Sequence, residues 1–196
     1  MSTCTRKVLF TLNETNTPYE LTVVDFAKGE HKQDTHLSHQ PFGQLPALTD
    51  GNFSMYESRA MARYIDRQAG GKLTPSDAHG EARMEQWISV ESANFTPHAM
   101  TFIYHGVFKR EQSAEALGNA GTKLELCCSI LDKQLASTKA FLVGDQFTIA
   151  DIAYAPYVEY GMNTDAKTIF AKHPHLTAWW NRVSERPAWR KAAGRA

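Results

Sequence analysis

The stretch from Gln40 to Ala60, QPFGQLPALTDGNFSMYESRA, restricts the possible folds of this chain more than any other segment. Pro46 precedes an apolar run, and because proline has no backbone N–H it belongs at the entrance to a strand. Bonds that precede proline are also the only ones that adopt the cis form at modest cost. We expect a cis bond here to leave the main chain of Leu45 facing outward, as an exposed backbone edge.

The rest of this stretch predicts a hairpin followed by a helix. Residues 47–49 and 53–56 have the composition of strands, and the Asp-Gly pair at 50–51 is a typical hairpin turn. Ser58 is a preferred N-cap residue that precedes an apolar-periodic run, so a helix is expected to begin there. Amide groups at a helix start bind carboxylates. A backbone edge at Leu45 beside an anion site at Ser58 suits an extended, acidic peptide.

The periodicity of the whole chain separates two regions. The elements predicted in the first region are a helix at 3–14, a strand at 19–24, a polar loop at 25–33, a short helix at 34–39, the hairpin and a helix at 58–68. The elements predicted in the second are a long helix at 78–109 that bends near Pro97, a helix at 113–135, an extended piece at 141–144, a helix that begins at Thr148 and ends near Met162, and shorter helices near 167–172 and 175–186. This order indicates a thioredoxin-like α/β domain over residues 1–69, a linker over 70–77 and an all-α domain over 78–196.

Charge and composition argue against several other classes of protein. The 196-residue chain has a net charge of zero, so neither a nucleic-acid partner nor an acidic membrane surface is expected. No apolar run reaches membrane-spanning length, and residues 1–6 lack the apolar core of a signal peptide. The three cysteines include the adjacent pair Cys127-Cys128, which favours a reducing, cytoplasmic location over a disulfide framework. The histidines of the helical region lack metal-ligand spacing, so no metal is predicted.

Three motifs, taken together, carry a resemblance to a known family. They are GEHKQ at residues 29–33, QPFGQLPAL at 40–48 and ESRA at 57–60. Together they resemble the glutathione-binding half of a glutathione transferase, most closely of the phi class, and the resemblance runs from Ser2 to about Trp189. It implies the glutathione transferase fold and a homodimeric, cytoplasmic detoxification enzyme. Such an enzyme joins the thiolate of its co-substrate, glutathione, to small apolar electrophiles.

One strand of that family's fold is expected to be missing here. In the family, a first strand in the middle of the sheet precedes the helix that starts at Ser2, whereas this sequence begins at Met1. Two expectations stay open: the true start lies upstream, or the sheet is rebuilt. A missing central strand would leave its two neighbours with unpaired backbone groups, which is costly where they are buried.

The resemblance also implies how glutathione would be held. His31 and Lys32 match the pair that approaches the glycine carboxylate, and a cation with a second donor is what a carboxylate needs. The main chain of Leu45 would pair with the cysteinyl backbone, while Ser58 would take the γ-glutamyl carboxylate and Glu57 its ammonium. The residues expected to bind glutathione are therefore His31, Lys32, Gln44, Leu45, Pro46, Glu57 and Ser58.

Ser2 matches the family's catalytic serine, just before the first helix. Its implied role is to donate a hydrogen bond to the glutathione thiolate without forming a covalent bond. A hydroxyl donor and a helix N-terminus both favour the thiolate over the thiol. Taken without the resemblance, Ser2 is simply a good N-cap residue.

Cys4 supports a rival hypothesis, since it lies in the first turn of the same helix. A thiolate there could form a mixed disulfide with glutathione, which would make the chain a glutathione-dependent disulfide or peroxide reductase. Residues two apart on a helix face different directions, so Ser2 and Cys4 are not expected to meet one sulfur atom, and we favour Ser2. A third hypothesis is a non-catalytic protein that uses the same fold to bind apolar ligands.

The second substrate would lie against aromatic side chains. Tyr104 and Phe108 are four residues apart and hence on one face of the long helix. Tyr160 lies near the end of the helix that begins after Thr148, and Phe26 follows the predicted strand. By position all four resemble the apolar pocket of the family, although aromatic residues at helical spacing also form cores.

Overall fold

The computed structural model describes residues 1–195 of the chain. The first region contains α1 (Thr3–Glu14), a 3-10 turn (Glu30–Lys32), α2 (Asp34–Leu37), β1 (Leu48–Asp50), β2 (Phe53–Met55) and α3 (Ser58–Gln68). The second contains α4 (Ala78–Val90), a π turn (Glu91–Phe95), α5 (Thr96–Gly106), α6 (Ala114–Thr138), α7 (Ile149–Gly161), α8 (Lys167–Phe170), α9 (Pro174–Ser184) and α10 (Pro187–Ala192). Between α3 and α4, residues 70–77 form neither helix nor strand.

Helix α1 has the predicted bounds, and it is the central element of the first region. Ser2 is its N-cap residue and accepts a hydrogen bond from the Thr5 amide. Its apolar side chains, Val8, Leu9, Phe10 and Leu12, are buried because α1 packs against α3, α7 and α10. The orientation of α1 is therefore fixed by helices from both regions of the chain.

The predicted hairpin is confirmed, with its turn one residue later than expected. Strands β1 and β2 are antiparallel, and Asp50 pairs with Phe53, so the two-residue turn is Gly51-Asn52 rather than Asp50-Gly51. Gly51 has a φ of 56°, which glycine adopts without the steric cost of a side chain. Within residues 1–195 the sheet has these two strands.

The strand predicted at 19–24 is wrong. These residues form no ladder with any segment of the described chain, and the side chains of Leu21 and Val23 are 52% and 80% exposed. Alternating apolar residues become a strand only when a neighbour accepts their backbone hydrogen bonds and covers one face. Neither condition is met here, so the β propensity of this segment has no effect.

The long helix expected at 78–109 is interrupted and ends earlier. Helix α4 runs into the π turn and then into α5, which ends at Gly106 rather than at residue 109. The π turn ends two residues before Pro97, whose missing N–H and bulky ring disturb the regular pattern of hydrogen bonds in the preceding turn. The predicted irregularity near Pro97 therefore takes the form of a π turn.

Helix α7 follows Thr148, as predicted, and its start is a capping box formed by Thr148 and Asp151. The Asp151 carboxylate accepts hydrogen bonds from the Thr148 amide at 3.0 Å, the Leu142 amide at 3.1 Å and the Trp179 indole N–H at 2.8 Å. One buried carboxylate thus joins the start of α7 to the extended piece before it and to α9.

The C-terminal part adds a helix that the sequence analysis did not predict. Helix α10 begins at Pro187, a residue well suited to the first position of a helix because its φ is already fixed. Trp189 of this helix is fully buried, and its ring lies 5.1 Å from that of Phe10 in α1. No helix of residues 1–195 combines the length and apolar character needed to cross a membrane.

We predict that Asp151→Ala lowers the free energy of unfolding by about 2–4 kcal/mol, because the buried Leu142 amide and Trp179 indole N–H lose their acceptor. Urea unfolding of both proteins measures the difference. Asp165→Ala, which removes an exposed carboxylate outside any such network, is the matched control and should stay within about 0.5 kcal/mol of the parent. Equal effects of the two substitutions would contradict the proposal that the Asp151 carboxylate stabilises the fold by joining these elements.

Candidate functional site

The fold brings Ser2 and Leu45 together although they are 43 residues apart in sequence. The Ser2 hydroxyl donates to the Leu45 carbonyl over 3.5 Å and accepts from the Thr5 amide over 3.4 Å. The Leu45–Pro46 bond is cis, as predicted. Both hydrogen bonds of the hydroxyl are long, so an acceptor that binds beside Leu45 could compete for its proton.

The second part of the site lies at the start of α3. Ser58 is the first residue of this helix and is 4% exposed, whereas Glu57 occupies the cap position that we had predicted for Ser58. Glu57 has φ 73° and ψ 101°, a backbone conformation that non-glycine residues rarely adopt. Such strain is held in place by the surrounding structure and is typical of ligand-binding positions.

The loop that carries His31 and Lys32 packs onto the segment before the cis bond. The Lys32 ammonium donates to the Phe42 carbonyl at 3.0 Å. Gly43 has a φ of 61°, and a Cβ atom there would lie 2.6 Å from Lys32 Nζ and 2.7 Å from the His31 carbonyl oxygen. Only glycine fits, so residue 43 allows the two loops to approach each other.

Gln40 is a positioning residue that the sequence analysis missed. Its side chain is 2% exposed, and its Oε1 accepts from the amides of Phe42 at 2.8 Å and Gln44 at 3.2 Å. His36 Nε2 donates to the Gln44 carbonyl at 2.8 Å. These bonds fix the backbone that leads to Leu45. The role of Gln40 could have been predicted from its place directly before a Pro-Phe-Gly turn, because backbone amides in such a turn lack partners and a side-chain oxygen can accept from them.

Three of the four predicted pocket residues form one aromatic cluster, which we define as Tyr104, Phe108 and Tyr160. The ring centroids of Tyr104 and Phe108 are 6.1 Å apart, and those of Phe108 and Tyr160 are 5.9 Å apart. The Tyr160 hydroxyl donates to the Met1 carbonyl at 2.5 Å, which places the cluster beside the start of α1. Phe26 instead stacks on His31, with 4.1 Å between ring centroids. Its role in a pocket stays a prediction.

A buried network of charges lies beneath these elements, and its members were not predicted. Glu91, in the π turn, accepts two hydrogen bonds from Arg59, at 2.6 and 2.9 Å, and one from Thr96. Lys7 Nζ lies 3.6 Å from the Glu91 carboxylate and donates to the Tyr157 hydroxyl at 3.0 Å. Burial opposes the charged form of Arg59, but its hydrogen bonds and ion pair with Glu91 raise its pKa. In the sequence, Lys7 stands between the polar start of α1 and its apolar run. This position was the signal that could have predicted a buried lysine.

The three cysteines have different surroundings, and none forms a disulfide. Cys4 is half-buried, and its Sγ lies 4.0 Å from the Tyr157 hydroxyl, whose pKa is raised by burial although Lys7 opposes this. Burial, reinforced by the Glu91 charge, raises the pKa of Cys127 to about 12, and burial likewise raises that of Cys128. Among residues 1–195, no group of three or more His, Cys, Asp or Glu side chains could hold a metal ion.

Comparisons with known proteins agree with this geometry. The family model described as the N-terminal domain of glutathione S-transferase matches residues 1–68, and that of the C-terminal domain matches residues 95–187. A glutathione S-transferase of Hyoscyamus muticus is 35% identical over 199 residues, which cover 98% of this chain and 93% of the relative. The chain belongs to the glutathione S-transferase family. Glutathione S-transferase F9 of Arabidopsis thaliana is 31% identical over 198 residues, covering 97% of this chain and 92% of that relative.

Solved structures of this family share the fold. The crystal structure of glutathione transferase F7 from Populus trichocarpa has a TM-score of 0.93 and 34% identity, and the match covers 99% of this chain and 94% of that one. Glutathione S-transferase I from maize, in complex with an atrazine glutathione conjugate, has a TM-score of 0.92 and 28% identity, with 99% and 93% covered. The predicted family, phi-class likeness, fold and transferase class are thus confirmed.

We predict that one thiol of the folded transferase, Cys4, reacts with iodoacetamide at about pH 8, because the raised pKa values and burial of Cys127 and Cys128 keep their thiolates scarce. Mass spectrometry of the labelled peptides measures this. Denaturant should expose all three, and Cys4→Ala should abolish labelling of the native protein. Rapid native labelling of Cys127 would contradict the expectation.

Proposed function

We propose that this glutathione S-transferase transfers glutathione to small apolar electrophiles, with Ser2 as the residue that stabilises the thiolate. The glutathione sulfur forms a new bond to an electrophilic carbon, the thiol proton passes to solvent, and any leaving group departs with its electron pair. The observation that carries the proposal is the approach of the Ser2 hydroxyl to the Leu45 carbonyl, at 3.5 Å, beside the cis bond.

Two further groups of residues support a glutathione site at this place. Ser58 and Glu57, at the strained start of α3, would receive the γ-glutamyl end, since helix amides attract its carboxylate. Leu45 would pair with the cysteinyl backbone, as an extended peptide does with a free edge. His31 and Lys32, on the loop that packs against Gly43, would face the glycine carboxylate. Gln44, whose carbonyl accepts from His36, and Pro46 would flank the Leu45 edge.

Ser2 can favour the thiolate without being charged itself. Its hydroxyl, now directed to the Leu45 carbonyl over a long distance, would turn to the sulfur once glutathione occupies the edge. The N-terminus of α1, a helix of twelve residues, adds the attraction of unpaired amide groups. Donors that are already in place when charge develops lower the barrier of such reactions.

The reductase hypothesis is less well supported by the geometry. Cys4 Sγ approaches the Tyr157 hydroxyl rather than the Leu45 edge, so a disulfide with glutathione would need its side chain to move. The hypothesis of a ligand-binding protein without turnover shares the same glutathione site and differs only in activity. Both are outcomes of the experiment below.

We also propose a homodimer that works in the cytoplasm. Phe42 is 63% exposed and packs edge-on against Tyr56, with 6.0 Å between ring centroids. An exposed aromatic pair next to a binding loop is typical of an interface anchor. The three unbridged cysteines suit a reducing compartment.

We predict that Ser2→Ala lowers kcat/KM for a neutral chloronitrobenzene by about 10²-fold and raises the pKa of bound glutathione, because the thiolate loses its donor. Steady-state kinetics over a range of pH measures both effects. Ser2→Thr keeps the hydroxyl and should retain most of the pKa effect, whereas Cys4→Ala should change kcat/KM by less than about threefold.

Three results would contradict parts of this proposal. Loss of activity in Cys4→Ala together with disulfide reductase activity would favour the reductase hypothesis. Glutathione binding by calorimetry without conjugation of any tested electrophile would favour the ligand-binding hypothesis. An unchanged pKa of bound glutathione in Ser2→Ala would remove Ser2 from the mechanism.

We predict that Phe42→Ser weakens self-association by at least about 30-fold, as expected when an interface anchor of about 2 kcal/mol is removed. Light scattering over a dilution series measures the mass, which should be twice that of one chain in the parent protein. Phe53→Ser, which removes another exposed ring from the same region, is the matched control. A parent protein that stays monomeric would refute the dimer.

A further inference from the structure

The aromatic cluster is flanked at both ends by arginine side chains. The guanidinium carbon of Arg6 lies 4.4 Å from the ring centroid of Tyr160, and that of Arg110 lies 5.2 Å from the ring centroid of Tyr104. Phe108 lies between the two tyrosines. The five side chains form a row in which three aromatic rings separate two positive charges.

Neither guanidinium is neutralised within residues 1–195, since no carboxylate there forms an ion pair with Arg6 or Arg110. The Nε atom of Arg6 is buried and has no acceptor in the same part of the chain. A buried donor without an acceptor is unfavourable, and hydrogen bonds to charged groups are the strong ones. Because Nε itself is covered, a ligand anion would accept from the other N–H groups of the Arg6 guanidinium, for which no carboxylate of residues 1–195 competes.

The carboxylates next to the row affect its two ends differently. Glu159, next to Tyr160, is engaged with the Trp189 indole and Arg195. Glu111, next to Arg110, forms no ion pair among the described residues, so its charge offsets part of the charge of Arg110 and leaves Arg6 as the stronger positive group. The Arg110 amide donates to the Tyr104 carbonyl at 2.8 Å, which holds the backbone of Arg110 close to the residue whose ring its side chain approaches.

We propose that this row makes the second-substrate pocket selective for aromatic electrophiles that carry an anionic group, such as a carboxylate or sulfonate. The substrate ring packs on the aromatic cluster, and its anion accepts hydrogen bonds from a guanidinium edge, which stays free while the guanidinium face stacks on a tyrosine. Arg6 is half-buried and contributes most; Arg110 is exposed and adds a salt-sensitive attraction. This inference rests on the proposed transfer of glutathione.

A pair of substrates that differ only in charge tests the proposal. The first is a chloronitrobenzoate with chlorine para and nitro meta to the carboxylate, and the second is its methyl ester. In both, the glutathione sulfur bonds to the carbon that carries chlorine, chloride leaves with the bonding electron pair, and the thiol proton goes to solvent. The value of kcat/KM for each is divided by its uncatalysed rate with glutathione, and the ratio of acid to ester is compared.

We predict that this ratio favours the acid by about tenfold in the parent protein, the size of one charge-assisted hydrogen bond. It should fall about fivefold in Arg6→Gln, recover in Arg6→Lys, and fall about twofold in Arg110→Gln, with that part also lost at high salt. Arg83→Gln removes an exposed arginine of α4 that donates to Gln86, and it should leave the ratio unchanged.

The outcomes separate this inference from the proposed function. Conjugation of the ester with no preference for the acid refutes the anion selectivity and leaves the transferase intact. Conjugation of neither substrate, with glutathione still bound, refutes the proposed function itself. An equal fall of the ratio in Arg83→Gln would show that net charge, rather than the row, attracts the acid. If Arg6→Gln fails to fold, Arg110→Gln and the salt dependence still decide the case.

Discussion

The Glu91 carboxylate connects the two domains, and the position of the candidate site depends on it. Arg59 of α3 and Lys7 of α1 both reach this one buried anion across the domain boundary. A buried carboxylate is costly unless it is paired and hydrogen-bonded, so the network favours the observed arrangement of these helices over arrangements that would break it. Ser2, five residues before Lys7, is thereby held opposite the segment that contains the cis bond. The buried network around Glu91 thus helps to position Ser2, which lies at the candidate site.

Much of the fold follows from local signals in the sequence. The bounds of α1 and α3 and the cap at Thr148 were predictable because capping, helical periodicity and turn residues act within a few residues of one another. The strand at 19–24 was not, because a strand exists only if another segment pairs with it. Helix α10 was missed because its short length gives little periodicity, although Pro187 marks its start.

The residues of the candidate site likewise divide into those that local sequence signals predict and those that they do not. Motif residues such as Leu45 and Ser58 could be named in advance, since turns, prolines and helix starts have recognisable sequence patterns. Almost no such pattern marks Gln40 or Glu91. Gln40 accepts from two amides of its own loop, and the partners of Glu91 come from distant helices. Their roles depend on which backbone and side-chain groups the fold leaves unpaired, and this is decided only when the whole chain has packed.

The π turn at Glu91–Phe95 has a consequence for how this helix can vary in length. In an α-helix each residue advances the direction of side chains by about 100°, and a π turn contains one residue more than a regular turn. This extra residue allows Glu91 and Thr96, five positions apart, to meet, and it sets the rotation of all that follows. Deleting one residue there would restore a regular helix while turning Tyr104 and Phe108 away from Tyr160. The number of residues in this segment is thus as constrained as their identity.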